Sequence, residues 1–124
     1  METLILEKTK DTPKVILDSH NNIFLFEYKS LPEDAMSFYK PILNWIELYS
    51  ESPNKKTVFE FKLEYFNTST TKQFAKLFLI LEKLVPEYDV TIKWYYDKND
   101  LDMKLAGERF NKLLKLNFEF VELN

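Results

Sequence analysis

Hydrophobic positions recur along this chain with two periods, which predict strands that alternate with helices. Apolar and polar residues alternate over Thr57–Tyr65, a period of two that predicts a strand. Because Val58 and Phe59 put apolar groups on both faces of it, we expect a central strand. A helical period follows from Thr70 to about Val85, where Pro86 ends the helix. Its apolar stripe consists of Phe74, Leu77, Phe78, Leu81, Leu84 and Val85.

The N-terminal segments predict an edge strand and a β-hairpin. Thr3–Lys8 is short and apolar, as in an edge strand. Lys14–Asp18 and Ile23–Tyr28 are predicted to pair as a hairpin. Ser19–Asn22 forms the turn between them, since asparagine tolerates left-handed backbone.

A first helix is predicted to open at Ser30–Glu33. Ser30 is the expected cap, Pro32 suits the first turn, and Glu33 completes a capping box. Pro41 lies inside the helical pattern and predicts a kink or a division near Tyr39 or Lys40. The apolar residues at helical spacing are Ala35, Phe38, Tyr39, Ile42, Trp45, Ile46 and Tyr49.

The C-terminal part repeats the strand-to-helix pattern. Val90–Tyr96 predicts a strand, Asp97–Asp100 a turn, Leu101–Lys115 a helix and Phe118–Val121 an edge strand. The residues expected to face inward from this helix are Met103, Ala106, Phe110, Leu113 and Leu114. Alternating strands and helices indicate an α/β fold with a mixed central sheet, an N-terminal hairpin and three to four helices.

Four consecutive hydroxyl residues, Thr68 to Thr71, lie where the central strand turns into a helix. Thr70 and Gln73 match a capping box, which places Thr70 at the N-cap and Thr68 just before it. Unpaired N–H groups and the positive end of the helix dipole suit a phosphate there, on a ligand or on the chain. No glycine is present, so this is not a nucleotide-cradling loop. Ordinary capping also explains hydroxyls in such a turn.

This turn and the Asp97–Asp100 turn both follow the carboxyl ends of predicted strands. Functional loops of α/β sheets gather at that edge, so the two turns can be neighbours.

Length and charge limit the function classes. The 124 residues predict a single domain over 1–124, large enough to bury a core. Acids and bases are interspersed at a net charge of −3, without the basic stripe of nucleic-acid or anionic-membrane binding. No apolar run spans a membrane and the N-terminus has no signal-peptide pattern, which together with the absence of cysteine predicts a cytoplasmic protein.

Neither a cofactor nor a metal is predicted. The single glycine, Gly107, disfavours close backbone approach to a cofactor. The single histidine, His20, excludes a triad or a zinc site in a chain without cysteine. Asp97, Asp100 and Asp102 match a calcium loop poorly and suit a helix N-terminus. A small enzyme using Asp97 and Asp100 remains an alternative.

Several segments, in the same order along nearly the whole chain, carry a family resemblance. They are Thr12-Pro13, Ser30–Ala35, Phe38-Tyr39, Pro41, Trp45-Ile46, Leu63–Ser69, Trp94–Tyr96, Asp100 and Ala106–Glu108. The pattern resembles the SiaC-type regulatory phosphoproteins, which are similar to anti-sigma-factor antagonists with a STAS fold. Family members often have a glycine and a basic residue before Ser30, where this chain has Tyr28 and Lys29.

The resemblance implies a non-enzymatic bacterial switch protein with a STAS-like fold. In that family a cognate Ser/Thr kinase phosphorylates a threonine in the strand-to-helix turn, and a PP2C-type phosphatase removes the phosphate. The unphosphorylated form of the best-known members activates a diguanylate cyclase and promotes biofilm formation. The phosphorylated residue corresponds to Thr68, and the expected partner-binding residues are Tyr65, Phe66, Asn67 and Ser69. A constitutive protein-binding module without a switch is the second alternative.

Overall fold

The computed structural model describes residues 1–124 and contains six strands and three helices. In chain order they are β1 (Leu4–Leu6), β2 (Lys14–Asp18), β3 (Ile23–Ser30), α1 (Ala35–Ser50), β4 (Lys56–Phe66), α2 (Thr68–Glu82), β5 (Asp89–Asp97), α3 (Leu101–Leu113) and β6 (Asn117–Leu123). The predicted α/β class is confirmed, and the number of helices is three.

All six strands form one mixed sheet in the order β1-β2-β3-β4-β5-β6. The first three strands pair antiparallel, whereas β3 to β6 pair in parallel. The predicted N-terminal hairpin is confirmed, and Asn22 in its turn has the left-handed φ of 56°. The prediction that β4 lies inside the sheet is also confirmed, since it pairs with β3 and β5.

Only one face of the sheet is covered by the helices. On β4 the buried side chains are every second residue, Thr57, Phe59, Phe61 and Leu63. The apolar members of this set share one core cluster with the buried residues of all three helices. Val58, Glu60 and Lys62, on the other face, stay half-buried. The expectation that both faces of β4 are covered is therefore wrong.

The core beneath the helices is built largely from aromatic rings. The ring of Phe61 lies 5.2 Å from Phe74, 5.3 Å from Phe78 and 5.5 Å from Trp94, measured between centroids. Gly107 brings α3 down onto Trp94, because a Cβ at this position would lie 2.5 Å from the indole Cδ1. The only glycine of the chain is thus required by packing.

The first helix differs from its prediction at its start and at Pro41. Ser30 ends β3 and is buried, and Asp34 is the N-cap of α1. Its carboxylate accepts hydrogen bonds from the Ser37 hydroxyl at 2.8 Å and the Ser37 N–H at 3.1 Å, which lower the pKa of Asp34. Pro41 does not divide α1, because the buried face that includes Tyr39 and Ile42 offsets its missing N–H.

The other two helices end slightly earlier than predicted. The second ends at Glu82 rather than Val85. Leu113, expected to face inward, is 82% exposed, because α3 ends there and Leu114 already has extended backbone. None of the three helices has the length and apolar character needed to cross a membrane.

Candidate functional site

The strand-to-helix turn is capped by Asn67. Its Oδ1 atom accepts hydrogen bonds from the Thr70 N–H and from the Ser69 hydroxyl, both at 3.0 Å. The helix therefore begins at Thr68, and the prediction that Thr70 is the N-cap is wrong. Asparagine is among the preferred caps, so the sequence held the signal. The Thr70–Gln73 pair matched the capping-box pattern three residues too late.

The four hydroxyl residues of this turn have different environments. Thr70 is fully buried and its hydroxyl donates to the Ser30 carbonyl at 3.1 Å. The hydroxyl of half-buried Thr71 donates to the Asn67 carbonyl at 3.2 Å, and that of exposed Ser69 donates to the Asn67 side chain. Thr68 is exposed and its hydroxyl makes no hydrogen bond within the chain. Of the four, it is the one most available to another protein.

A buried hydroxyl network holds the turn from below. The Ser30 Oγ lies 2.6 Å from the Tyr39 hydroxyl and 2.9 Å from the Thr70 Oγ1. The Asn67 N–H also donates to the Ser30 carbonyl at 3.2 Å. Burial raises the pKa of the Tyr39 phenol, so this group stays neutral as a hydrogen-bonding partner. The network joins β3 and α1 to the first turn of α2 and fixes the base of Thr68.

Thr68 borders a surface cavity of about 270 Å³, which we call the Thr68 cavity. Its lining comes from the end of β4 and the start of α2 on one side and from α3 on the other. These residues are Glu64, Tyr65, Phe66, Asn67, Thr68 and Thr71, and Asp100, Asp102, Met103, Ala106 and Arg109. The predicted proximity of the two turns is confirmed for Asp100.

Three carboxylates and one guanidinium set the charge of the Thr68 cavity. Glu64, Asp100 and Asp102 carry the negative charge, and Arg109 is the only arginine of the chain. Asp100 caps α3, because its carboxylate accepts from the Met103 N–H at 3.0 Å. Asp97 accepts from the Asn99 N–H at 3.1 Å and does not line the cavity. The two aspartates considered for catalysis therefore each support local backbone.

The Thr68 cavity is small for a binding site. Its volume lies below the roughly 300–1,000 Å³ of typical small-molecule sites. Nowhere in residues 1–124 do three or more His, Asp or Glu side chains come together in a way that could hold a metal ion.

Four of the five predicted site residues meet at this cavity. Tyr65 is 54% exposed, whereas Phe66 is half-buried, with its ring 5.3 Å from Phe74. Asn67 is occupied by its capping bonds. Ser69 lies on the other side of α2, where it lines a groove shared with α1 and Lys72. The contribution of these residues to partner binding stays a prediction.

A strained residue lies beside the end of β4. Tyr28 has a φ of 81°, a region that bulky side chains rarely adopt. The β3–β4 register shifts after it, so that Tyr28 pairs with Leu63 and Lys29 with Tyr65. The extra residue of this β-bulge is Glu64 of β4, which lies opposite Tyr28 and Lys29, the positions where the resemblance led us to expect a glycine and a basic residue. A bulge bends the strand that carries it, here the end of β4 that leads into the Thr68 turn.

Known proteins match this chain over almost its full length. An uncharacterised protein of Pseudomonas aeruginosa is 22% identical over 113 residues, which is 90% of each chain. The crystal structure of apo-SiaC from Pseudomonas aeruginosa superposes with a TM-score of 0.90 at 21% identity, covering 98% of this chain and 99% of that one.

A second solved structure is that of the diguanylate cyclase SiaD in complex with its activator SiaC, also from Pseudomonas aeruginosa. It matches with a TM-score of 0.90 at 21% identity and covers 97% of this chain and 99% of the matched chain. These likenesses establish a common fold. The model of the SiaC family matches residues 6–123. The chain therefore belongs to the SiaC family of regulatory phosphoproteins.

Proposed function

We propose that this chain is a cytoplasmic, non-enzymatic regulatory protein whose binding to a protein partner is controlled by phosphorylation of Thr68. The partner surface consists of Tyr65, Phe66, Asn67, Thr68 and Ser69. The observation that carries the proposal is that Thr68 alone, among four neighbouring hydroxyl residues, is both exposed and free of hydrogen bonds. A kinase reaches such a hydroxyl without unfolding the helix.

The effect of the phosphate follows from its position. At the first residue of α2 it faces unpaired N–H groups and the positive end of the helix dipole, so the fold tolerates it. It adds roughly −1.5 to −2 charges to a cavity that already holds three carboxylates. A partner packed on exposed Tyr65 must then desolvate that charge. Each ~1.4 kcal/mol lost weakens the affinity tenfold.

The proposed partner is a diguanylate cyclase. Support comes from SiaC of Pseudomonas aeruginosa, which has the same fold and forms a complex with the cyclase SiaD as its activator. The chain thereby acts in cyclic-di-GMP signalling and biofilm regulation. A cognate Ser/Thr kinase adds the phosphate at Thr68 and a PP2C-type phosphatase removes it.

Phosphopeptide mass spectrometry on protein from the native host tests the position of the phosphate. Trypsin releases Leu63–Lys72 as one peptide that carries all four hydroxyl residues. We expect phosphate at Thr68 and an increase in its occupancy when phosphatases are inhibited. Phosphate confined to Ser69, Thr70 or Thr71 would move the switch to another residue, and an unmodified peptide under all growth conditions would favour a constitutive binding module.

Cyclase activation tests the consequence. Purified wild-type chain and its variants are added to a diguanylate cyclase of the same host, and cyclic-di-GMP synthesis is measured. Thr68→Ala should activate like the wild type, whereas Thr68→Asp should need at least about ten times more protein. Ser52→Asp, an exposed change in the loop before β4, is the charge-matched control and should behave like the wild type. Equal activation by both Thr68 variants would rule out the switch.

A further inference from the structure

The only arginine of the chain lies across the Thr68 cavity from the hydroxyl that the proposed function assigns to phosphorylation. Arg109 is exposed on α3 and forms no salt bridge, since the single one in residues 1–124 joins Lys62 to Glu60 at 3.9 Å. It also lines an adjoining apolar groove of about 210 Å³ together with Phe66 and Phe110. An exposed cation without an ion-pair partner therefore lies at the border of the cavity and the groove.

The direction of the helices is consistent with the position of Arg109 and Thr68 on one cavity. Both α2 and α3 begin directly after parallel strands, at the same edge of the sheet. Arg109 follows the first residue of α3, Leu101, by eight positions, about 12 Å along the axis. Long helical side chains generally point back toward the helix N-terminus, which for Arg109 is the direction of the edge where Thr68 lies. Both residues line the same cavity.

We propose that Arg109 binds the phosphate of phosphorylated Thr68 and thereby joins α2 to α3 across the cavity. The inference rests on the proposed function and adds its internal receptor. A guanidinium suits this role, because it offers two parallel donors to phosphate oxygens. Arg109 is the only cationic residue that lines this cavity, and the other charged residues there are Glu64, Asp100 and Asp102.

The contact would change the surface offered to a partner. In the unphosphorylated chain, the cavity and the apolar groove beside Phe66 adjoin each other, since four residues line both: Phe66, Thr71, Ala106 and Arg109. An Arg109 side chain held on the phosphate would lie across the boundary between them. Phosphorylation then acts by closing a surface as well as by adding charge.

Because Arg109 is the only arginine of the chain, NMR can observe its side chain directly. The chain gives a single arginine Nε–H resonance in a ¹H–¹⁵N spectrum. Spectra are compared for the unmodified chain and for a chain with phosphothreonine incorporated at position 68. We expect the Nε–H resonance to shift and its exchange with water to slow by at least about threefold, as in a charge-assisted hydrogen bond. An unchanged resonance would overturn the proposal.

A ³¹P titration of the phosphate gives a second, independent readout. The second pKa of a phosphothreonine is about 6, and it is lowered by Arg109 and raised by Glu64, Asp100 and Asp102. Arg109→Gln should raise this pKa by roughly 0.5 unit. Lys112→Gln removes a charge at the other end of α3, away from the cavity, and should leave the pKa unchanged. Equal values in the wild type and Arg109→Gln would contradict the contact.

The two hypotheses can fail separately. Because the phosphothreonine is incorporated during synthesis, the test of Arg109 needs no native kinase. A shifted Nε–H resonance in a phosphorylated chain that still activates the cyclase would support the Arg109 contact and refute the proposed function. An unshifted resonance in a phosphorylated chain that no longer activates the cyclase would do the reverse.

Discussion

Thr68 and Thr70 have the same side chain, lie two residues apart in one helical turn, and occupy opposite environments. Thr68 is exposed at the edge of a cavity, whereas Thr70 has 0% exposed surface and donates to the Ser30 carbonyl. Successive residues of an α-helix differ by about 100° around its axis, so positions two apart face nearly opposite directions. The start of α2, which Asn67 fixes, therefore decides which hydroxyl another protein can reach.

A negative charge should separate the two threonines most strongly. Thr70→Asp places a carboxylate in the buried network with Ser30 and Tyr39, and we expect it to lower the free energy of unfolding by at least about 3 kcal/mol. Thr68→Asp puts the same charge at the exposed helix start, where the helix dipole favours it and the carboxylates of the Thr68 cavity oppose it, so the free energy of unfolding should change by less than about 0.5 kcal/mol. Urea denaturation at pH 7 measures both. Similar losses in the two variants would mean that position 68 is not free to accept charge.

Removing the Asn67 cap should lower the free energy of unfolding by less than Thr70→Asp does. Asn67→Ala removes the acceptor of the Thr70 N–H and of the Ser69 hydroxyl, and should cost about 1 kcal/mol. Ser69→Ala loses only one exposed hydrogen bond and should cost less than about 0.5 kcal/mol. Urea midpoints of the two variants give the comparison. An Asn67→Ala variant as stable as the wild type would mean that the helix start does not depend on this cap.

Apolar periodicity was enough to predict most of the fold. The order of strands and helices and the central position of β4 follow from positions such as Phe59 and Phe74, because burial imposes a period of two or of about 3.6. The helix starts were less predictable. In both α1 and α2 a serine or threonine matched the capping pattern, yet the caps are Asp34 and Asn67. Several polar residues in a turn satisfy the same local pattern, and tertiary contacts select one.

The candidate site was also predictable only in part, because its geometry depends on where α2 begins. The hydroxyl-rich turn and its proximity to Asp100 follow from the rule that loops gather at the carboxyl ends of parallel strands. Which hydroxyl is exposed depends on the true start of α2, and an error of three residues exchanges cap and core positions. The place of Arg109 depends on how α3 packs on Trp94 through Gly107, for which the local sequence carries no signal.

The buried hydroxyl network around Thr70 should make the stability of the fold depend on pH. At neutral pH, removing one of its hydroxyls should change the free energy of unfolding less than Thr70→Asp or Asn67→Ala does. Tyr39→Phe removes the hydroxyl 2.6 Å from the Ser30 Oγ and should cost roughly 0.5–1 kcal/mol at pH 8. Burial raises the pKa of Tyr39 in the folded chain above the unfolded value of about 10. The folded state therefore keeps a proton that the unfolded state releases above pH 10. The stability that depends on this proton is complete below pH 10 and is lost as the pH rises toward the folded pKa.

The wild type should thus lose stability relative to Tyr39→Phe above pH 10, by about 1.4 kcal/mol per pH unit. We expect the advantage of the wild type at pH 8 to disappear near pH 11, as measured by urea midpoints across that range. Tyr95→Phe tests the same linkage on the open face of the sheet, where partial burial and a hydrogen bond to Glu60 raise the pKa of Tyr95 to about 12, so its difference from the wild type should also change above pH 10. Tyr95 forms no hydrogen bond with Ser30, Tyr39 or Thr70. A constant difference between the wild type and Tyr39→Phe from pH 8 to 11 would mean that the phenol ionises normally and that Thr70 lacks the dry environment that distinguishes it from Thr68.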